Sequence, residues 1–427
     1  GPSAWAQLAR VVRGADGGDD DAKLRAGLAV VADGLVRFPD DVTLTVAAAL
    51  LSIEAERVAQ PIALLEAVRR RVPDDAELAE QLLRLYRERL GRLIYGNRSK
   101  AAAACLHELE TFYAGLDRQF PGRIWSVTWG EVLATYGRGL IGLGELTAGR
   151  AALTRSIAAA PTLEALEMLG TVALKTGDAR AARTAFERAV DLPGDAPAQQ
   201  YARAKVLRLA GDAAVAVGDE AGGMSHYGRA LQIWADLGDK LDLPPNLAGE
   251  RLIESGKVFW ALGKIDDGAE LLTHASTVDP DGADTHIQAV AFLLLHDQYD
   301  RARDTFYQAL ASDRIGDYYK VYMAVWVLAE GRRLGRADDD QAVAYLASRD
   351  GALWYDDIAR LASGRVTPAV LEPRATTRAR RTELAYYTAV LEPAGADAAA
   401  LFEDVLASQL VLFFEYDMAK RRLGRER

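Results

Sequence analysis

Residues 163–193 read LEALEMLGTVALKTGDARAARTAFERAVDLP, and this stretch decides the fold. Gly170 and Gly177 lie seven residues apart in it, followed by a small residue, an aromatic ring and an alanine at Ala182, Phe186 and Ala189. The arrangement recurs along the chain with a period close to 34 residues, which indicates an internal repeat. The same glycine spacing is found at Gly137 and Gly144, Gly211 and Gly218, and Gly256 and Gly263.

Each copy predicts two antiparallel helices joined by a turn. Gly170 has no side chain, so the two helices can approach closely there, and Gly177 ends the first helix, where a positive φ is least costly for glycine. Ala182, Phe186 and Ala189 share one face of the second helix because they are spaced i, i+4, i+7. One such hairpin cannot bury its apolar face alone, so the copies must stack.

This pattern resembles the tetratricopeptide repeat (TPR) family. The resemblance covers most of residues 25–423 and implies an all-α fold, a TPR-like α-solenoid whose antiparallel helix pairs wind into a right-handed superhelix. It also implies that the protein binds other proteins. The next copies read Leu207, Gly211, Gly218, Gly223, Tyr227 and Ala230, then Leu252, Gly256, Phe259, Gly263, Leu272, Ala275 and Pro280, then Leu293, Ala302, Phe306 and Ala309.

Composition limits the partners that we expect. Half of the 427 residues are hydrophobic, as stacked amphipathic helices require, and the net charge is −10. A chain this acidic has no general affinity for nucleic acid or anionic membranes, and it suits a basic or neutral protein partner. No apolar run reaches the roughly 18 residues of a membrane span.

We predict four parts of the chain from these patterns. Residues 1–21 contain a tag remnant (Gly1-Pro2-Ser3), a short helix and an acidic linker at 14–21. Residues 22–129 fit degenerate TPR-like hairpins with longer helices, because Pro73 and Pro121 are 48 residues apart. Residues 130–316 form the regular array, and residues 317–427 form a divergent TPR-like module with a capping helix.

The C-terminal part is similar to the closing module of bacterial TPR proteins, including envelope lipoproteins. It contains an apolar helix from Tyr318 to Leu334 and a helix that starts with Thr367 as N-cap and Pro368 in the first turn. Gly395 comes two residues later than the repeat predicts. The similarity implies a bacterial protein and favours the cell envelope or periplasm over the cytoplasm.

No catalytic or metal-binding pattern is present. The five histidines are spread over several repeats, and no glycine-rich phosphate loop precedes a Lys-Ser or Lys-Thr pair. Cys105 follows four alanines on a predicted helix and is expected to be a buried small hydrophobe rather than a nucleophile. We therefore predict a protein that is not an enzyme and has no cofactor or metal.

The predicted binding surface is the concave face of the array, which the first helix of each TPR repeat lines. Its candidate side chains mix both signs of charge and include one tryptophan, which suits an extended peptide or a partner helix. No copy has the lysine and asparagine that chaperone-tail receptors use, so that specialised role is not expected. The predicted partner-binding residues are Glu131, Arg138, Glu167, Lys205, Arg208, Lys257 and Trp260.

Three functions stay open from the sequence. The first is a bacterial scaffold or adaptor that binds a protein or peptide, and the second is a carrier of a small apolar ligand such as a lipid. The third is the regulatory arm of a larger enzyme whose catalytic domain is missing from this chain. The second rests on an aromatic cluster: Tyr318, Tyr319, Tyr322, Trp326, Trp354 and Tyr355.

Overall fold

The described part of the chain is entirely helical. In this computed structural model the described residues are 1–13, 20–39, 41–54, 59–125, 127–194, 196–240, 243–391 and 397–425. They form 23 α-helices and one short 3-10 turn, with no strand among them. This confirms the all-α, TPR-like solenoid predicted from the repeat. None of the described helices is long and apolar enough to cross a membrane.

Two compact units divide the chain. Unit 1 contains residues 1–140 and 151–160, and unit 2 contains residues 141–150 and 161–427. The first eight helices lie wholly or mostly in unit 1, with the turn between the last two assigned to unit 2. They are α1 (Pro2–Arg13), α2 (Asp20–Arg37), α3 (Val42–Glu54), α4 (Ala59–Arg69), α5 (Ala76–Tyr95), α6 (Ser99–Gln119), α7 (Trp129–Gly142) and α8 (Leu146–Ala159).

Unit 2 contains the regular helix pairs and the C-terminal module. The pairs are α9 (Leu163–Lys175) with α10 (Ala179–Val190), α11 (Pro197–Ala216) with α12 (Glu220–Lys240), α13 (Pro245–Ala261) with α14 (Ile265–Val278), and α15 (Ala283–Leu295) with α16 (Tyr299–Ala311). The remaining helices are α17 (Asp317–Arg333), α18 (Asp340–Ala347), α19 (Trp354–Ala362), α20 (Pro368–Leu371), α21 (Arg378–Leu391), α22 (Ala398–Ala407) and α23 (Phe414–Arg422).

The repeated glycines act as the spacing predicts. A Cβ atom on Gly170 would lie 2.5 Å from the ring of Phe186, and one on Gly256 would lie 2.2 Å from Leu272. Each of these glycines therefore sits directly against the second helix of its own pair. Gly177, which follows α9, has φ of 88°, a conformation that a side chain would strain. The first glycine of a copy thus permits close helix packing, and the second permits the chain to reverse direction.

At the N-terminus the pairing starts earlier than the sequence indicates. Helix α1, expected to precede the array, packs against α2, and Ala6 and Ala9 are buried in one cluster with Val31 and Leu44. The pair α5 and α6 is longer, at 20 and 21 residues, which accounts for the wide spacing of the prolines. Residues 14–19 of the predicted linker, and Gly395, lie outside the described residues.

The C-terminal helices follow the sequence prediction closely. Helix α17 begins at Asp317 and ends at Arg333, and twelve of its 17 residues are buried, which makes it the central helix of this module. Thr367 is the N-cap of α20, with Pro368 in its first turn, but that helix is only four residues long. The position of α17 and the start of α20 therefore agree with the sequence, while the short length of α20 was not predicted.

Candidate partner-binding face

Five of the seven predicted partner-binding residues lie on neighbouring helices of unit 2. Glu167 is on α9, Lys205 and Arg208 are on α11, and Lys257 and Trp260 are on α13. These helices contact one another in order, and α13 contacts α15. We call the surface formed by α9, α11, α13 and α15 the A-helix face.

The other two predicted residues belong to α7, in unit 1. Glu131 accepts a hydrogen bond from the backbone N–H of Thr128 at 2.8 Å, and its own N–H donates to the Thr128 hydroxyl at 3.2 Å. This reciprocal pair is a capping box that stabilises the start of α7. Arg138 is exposed on the same helix. Whether either residue binds a partner stays a prediction.

On the A-helix face the charged residues form one network with a carboxylate at its centre. Arg208 donates through Nε to Glu254 Oε2 at 2.5 Å, and Lys257 Nζ donates to Glu254 Oε1 at 2.6 Å. Arg208 also pairs with Asp212 at 2.5 Å. Each charge in this network therefore has a partner inside the chain.

Burial and charge act in opposite directions on this network. Burial disfavours the charged form of Glu254, which is 2 % exposed, but the adjacent charges of Arg208 and Lys257 hold its pKa well below the usual range. Burial lowers the pKa of Lys257, and the charge of Glu254 opposes that effect. For Asp212, burial is the largest influence and raises the pKa despite the charge of Arg208.

Lys205 and Glu167 form a more accessible pair at the edge of the network. Lys205 Nζ lies 3.1 Å from Glu167 Oε1, and their side chains are 33 % and 22 % exposed. Arg208, by contrast, is 9 % exposed. A partner can therefore reach Lys205 and Glu167 directly, whereas Arg208 mainly holds Glu254 in place.

Trp260 forms an aromatic wall beside the charges. Its ring stacks on His296 with centroids 3.9 Å apart, and its indole N–H donates to the Ile265 carbonyl at 2.9 Å. Next to it, Lys257 Nζ lies 4.1 Å from the centroid of the Phe292 ring, which is cation–π geometry. Burial lowers the pKa of His296, so this stacked imidazole is neutral near pH 7.

The C-terminal helix α23 lies against the A-helix face, which the sequence did not predict. Asp417 pairs with Lys175 of α9, and Lys420 Nζ donates to the Lys175 carbonyl at 3.4 Å. Arg421 pairs with Asp297 at 2.5 Å, just beyond α15. A segment of the chain itself thus occupies part of the face where a partner was expected.

Two adjoining cavities remain beside α23. One has a volume of about 370 Å³ and is lined by Thr171, Trp260 and Ala261 together with residues of the charged network. The other, of about 460 Å³, reaches Asp417 and Lys420 of α23 itself. Leu174, Lys175, Asp212, Phe292 and His296 line both cavities. Their walls combine apolar surface with charges of both signs.

Glu254, the centre of the network, was missed at the sequence level. It falls one position after Ile253 in the repeat and therefore outside the positions that line a TPR groove. Its spacing of three residues from Lys257 on one helix is the signal that would have revealed it. Asp212, which shares α11 with Arg208 at a spacing of four, has the same signal.

The aromatic cluster expected to hold an apolar ligand contains buried carboxylates. Tyr318, Tyr322 and Trp326 do form a run of ring contacts along α17. However, Tyr322 and Trp354 both donate hydrogen bonds to Glu383 of α21. This environment is polar at its base, which does not favour a lipid tail.

No group of three or more His, Cys, Asp or Glu residues in the described part of the chain could hold a metal ion. Cys105 is fully buried, as predicted, and burial raises the pKa of its thiol to about 11. A thiol with this pKa is not a nucleophile at neutral pH.

The helix pairs α9–α10, α11–α12 and α13–α14, each with a glycine pressed against its second helix, are of the TPR type. No family model matches the chain, and no curated protein matches its sequence. Among solved structures, yeast Tom70 is similar at 12 % identity over 100 % of this chain and 90 % of its own, with a TM-score of 0.41. A Rap protein in complex with Competence and Sporulation Factor is similar at 12 % identity over 90 % of this chain and 99 % of its own, with a TM-score of 0.41. Similarity this low tells nothing about function.

Proposed function

We propose that the protein is a non-enzymatic adaptor that binds a peptide segment of a protein partner on the A-helix face of unit 2. The observation that carries this proposal is α23. It is a helix of the chain's own that lies on this face, held by charge pairs through Asp417 and Arg421. An amphipathic helix laid into a groove is a common mode of peptide recognition.

The space beside α23 supplies what a peptide needs. The cavities of about 370 and 460 Å³ offer apolar walls for anchor side chains. Lys175 and Asp212 line both of them and can orient a peptide through its polar groups. An acidic chain with net charge −10 favours a neutral or basic partner.

We assign different roles to the five predicted residues. Glu167 and Lys205 are accessible and contact the partner directly, since their side chains are 22 % and 33 % exposed. Trp260 lines the smaller of the two cavities, of about 370 Å³, and offers an apolar wall for an anchor side chain. Arg208 and Lys257 act by holding Glu254 and so fix the shape of the floor.

A blocking substitution tests this proposal without touching the network. Ala261 is exposed at the end of α13 and lines the cavity of about 370 Å³, so Ala261→Trp fills the cavity from its rim. Peptides are first selected from a random displayed library on the wild-type protein. We expect their affinity for Ala261→Trp to fall at least about tenfold, the loss of one anchor contact.

The matched control places the same bulk on another surface. Gln232 is exposed on α12, where its amide donates to Asp236 at 2.8 Å, and it lines neither cavity of the A-helix face, so Gln232→Trp should leave peptide affinity unchanged. Both variants are checked for wild-type helicity by circular dichroism. Equal peptide affinity in the two variants would rule out the A-helix face as the binding site.

A further inference from the structure

Another cavity of unit 2, separate from the two beside the charged network, lies between α15, α17, α21 and α23. Its volume is about 280 Å³, room for on the order of ten water-sized groups. The walls are mainly aromatic, and two glutamates, Glu383 of α21 and Glu415 of α23, line it as well. The aromatic residues are Tyr318, Tyr319, Tyr322, Trp326, Phe413 and Phe414.

Both glutamates are buried and receive hydrogen bonds only from uncharged groups. Glu383 is 8 % exposed, and its Oε2 accepts from the Tyr322 hydroxyl at 3.0 Å and from the Trp354 indole. Glu415 is 5 % exposed and accepts from the Tyr387 hydroxyl at 2.5 Å, which itself accepts from the Trp326 indole at 3.0 Å. Both bonds to Glu383 end on one oxygen, so Oε1 has no donor among the described residues.

No lysine or arginine of the described chain forms an ion pair with either glutamate. The positive charge of Arg380, on the same helix, lowers the pKa of Glu383. Its guanidinium, however, lies over the Trp354 ring and donates to the Arg374 carbonyl. The other groups that face the pair are uncharged tyrosines of α17 and α21, and Asp284 of α15 adds a further carboxylate to the cavity wall. The cavity therefore collects negative charge without a compensating cation.

Ionising both carboxyl groups in this position is unfavourable, because burial disfavours the charged form. Burial raises the pKa of Glu383 to about 8, and the nearby carboxylate of Glu415 adds to the effect. Burial raises the pKa of Glu415 as well. At neutral pH the pair thus keeps at least part of its protons, and an added cation would let the carboxylates ionise.

We propose that this cavity binds an organic cation, an alkylammonium or guanidinium group whose charge is neutralised by Glu383 and Glu415. The aromatic faces attract the cation through their ring quadrupoles and pack against its carbon chain. A bare divalent metal ion fits less well, since Mg²⁺ and Ca²⁺ require six or more oxygen ligands. The cation can come from a free amine or from a lysine or arginine side chain of a polypeptide.

Calorimetric titration of the full chain at pH 7 tests the proposal with defined probes. n-Butylammonium is compared with neutral n-butanol, and acetyl-glycyl-lysyl-glycinamide with its norleucine counterpart. We expect each cation to bind at least about tenfold more tightly than its neutral analogue. Titration in buffers of different ionisation enthalpy should show proton release on binding, because the carboxylates ionise. Butylammonium binding assigns the site to free amines; binding of the lysyl peptide alone assigns it to polypeptides.

Variants separate this site from a general effect of charge. Glu383→Gln and Glu415→Gln should each weaken binding of the cation by about tenfold or more, and Glu383→Gln should also reduce the proton release. Glu403→Gln is the matched control. It removes an exposed carboxylate of α22 that pairs with Arg425, and it should change neither the affinity for the cation nor the proton release. Tyr318→Leu removes a half-exposed ring at the cavity, so it should weaken binding several-fold with little risk to folding.

Two results would overturn the proposal. One is equal affinity for n-butylammonium and n-butanol, or no binding of either cation. The other is cation binding that persists unchanged in Glu383→Gln, Glu415→Gln and Tyr318→Leu. Because Tyr318, Glu383 and Glu415 line neither of the two cavities of the A-helix face, either result leaves the peptide-binding proposal standing.

Discussion

In two regions of unit 2, buried carboxyl groups have pKa shifts of opposite direction. Glu254 on α13 is 2 % exposed and lies within 2.5 and 2.6 Å of Arg208 and Lys257. Glu383 and Glu415 are 8 % and 5 % exposed and receive only neutral hydrogen bonds from the described residues. The pKa of Glu254 is therefore lowered, while those of the other two are raised.

The difference teaches that burial alone does not decide the charge of a group, because neighbouring charges can outweigh it, as they do at Glu254 but not at Asp212. The Glu254 network is complete within the chain and needs no ligand, so it is a structural device under the A-helix face. The Glu383–Glu415 cavity is incomplete without a cation. The first should matter most for stability and the second for binding.

The largest expected effect is the loss of the centre of the network. Glu254→Gln removes the shared partner of Arg208 and Lys257 and leaves Lys257 buried without a carboxylate. Breaking a buried ion pair in this way costs about 3–5 kcal/mol in the free energy of unfolding. Urea denaturation of both proteins at pH 7 measures the difference.

Glu250→Gln serves as the control for that substitution. Glu250 lies one turn before Glu254 on α13, and burial raises its pKa, so its negative charge contributes less to stability than that of Glu254, whose pKa is lowered. Its free energy of unfolding should stay within about 1 kcal/mol of the wild type. Equal losses in both variants would show that Glu254 has no special place in the network.

A change of pH should have an intermediate effect on the free energy of unfolding. Folded Glu383 keeps its proton up to a pKa of about 8, whereas the unfolded side chain releases it near pH 4.3. Raising the pH across this window therefore lowers the free energy of unfolding, by on the order of 2 kcal/mol even if only half of the displacement is realised. Denaturation at pH 5 and pH 8 measures this, and Glu383→Gln should reduce the dependence.

Glu254 gives the opposite sign in a different window. Its folded pKa is lowered, so its contribution is present above about pH 4.3 and is lost as the pH falls toward the folded value. The acid limb should keep its size in Glu383→Gln and become smaller in Glu254→Gln, where Asp219, Asp300 and Asp338, whose pKa values are also lowered, still contribute to it. If both limbs vanish together in one variant, the two sites are not independent.

The smallest effect is expected at the accessible edge of the network. Glu167→Gln breaks the pair with Lys205, whose atoms are 3.1 Å apart in a partly exposed position. Such pairs contribute about 0.2–1 kcal/mol, and salt screens them. Thermal unfolding at 0.05 and 0.5 M salt checks this, and a loss comparable to that of Glu254→Gln would mean that the pair is effectively buried.

Several features were predictable because they follow from local rules. Gly170 and Gly256 lie against their second helices, and Ala182, Phe186 and Ala189 are buried, as the repeat spacing requires. The apolar helix predicted from Tyr318 to Leu334 is present and runs from Asp317 to Arg333. The TPR positions brought Lys205, Arg208 and Lys257 to one face without showing which of them stays accessible.

The sequence by itself determined the helical repeat, its glycine contacts and the lack of a catalytic pattern, since each depends on spacing within about 34 residues. Only the tertiary structure decided that α23 covers part of the A-helix face, because Asp417 and Lys175 are 242 residues apart. It also brought Glu383 and Glu415 from different helices into one aromatic cavity. Burial and charge pairing of this kind depend on which helices meet, and the periodicity of a single helix contains no record of that.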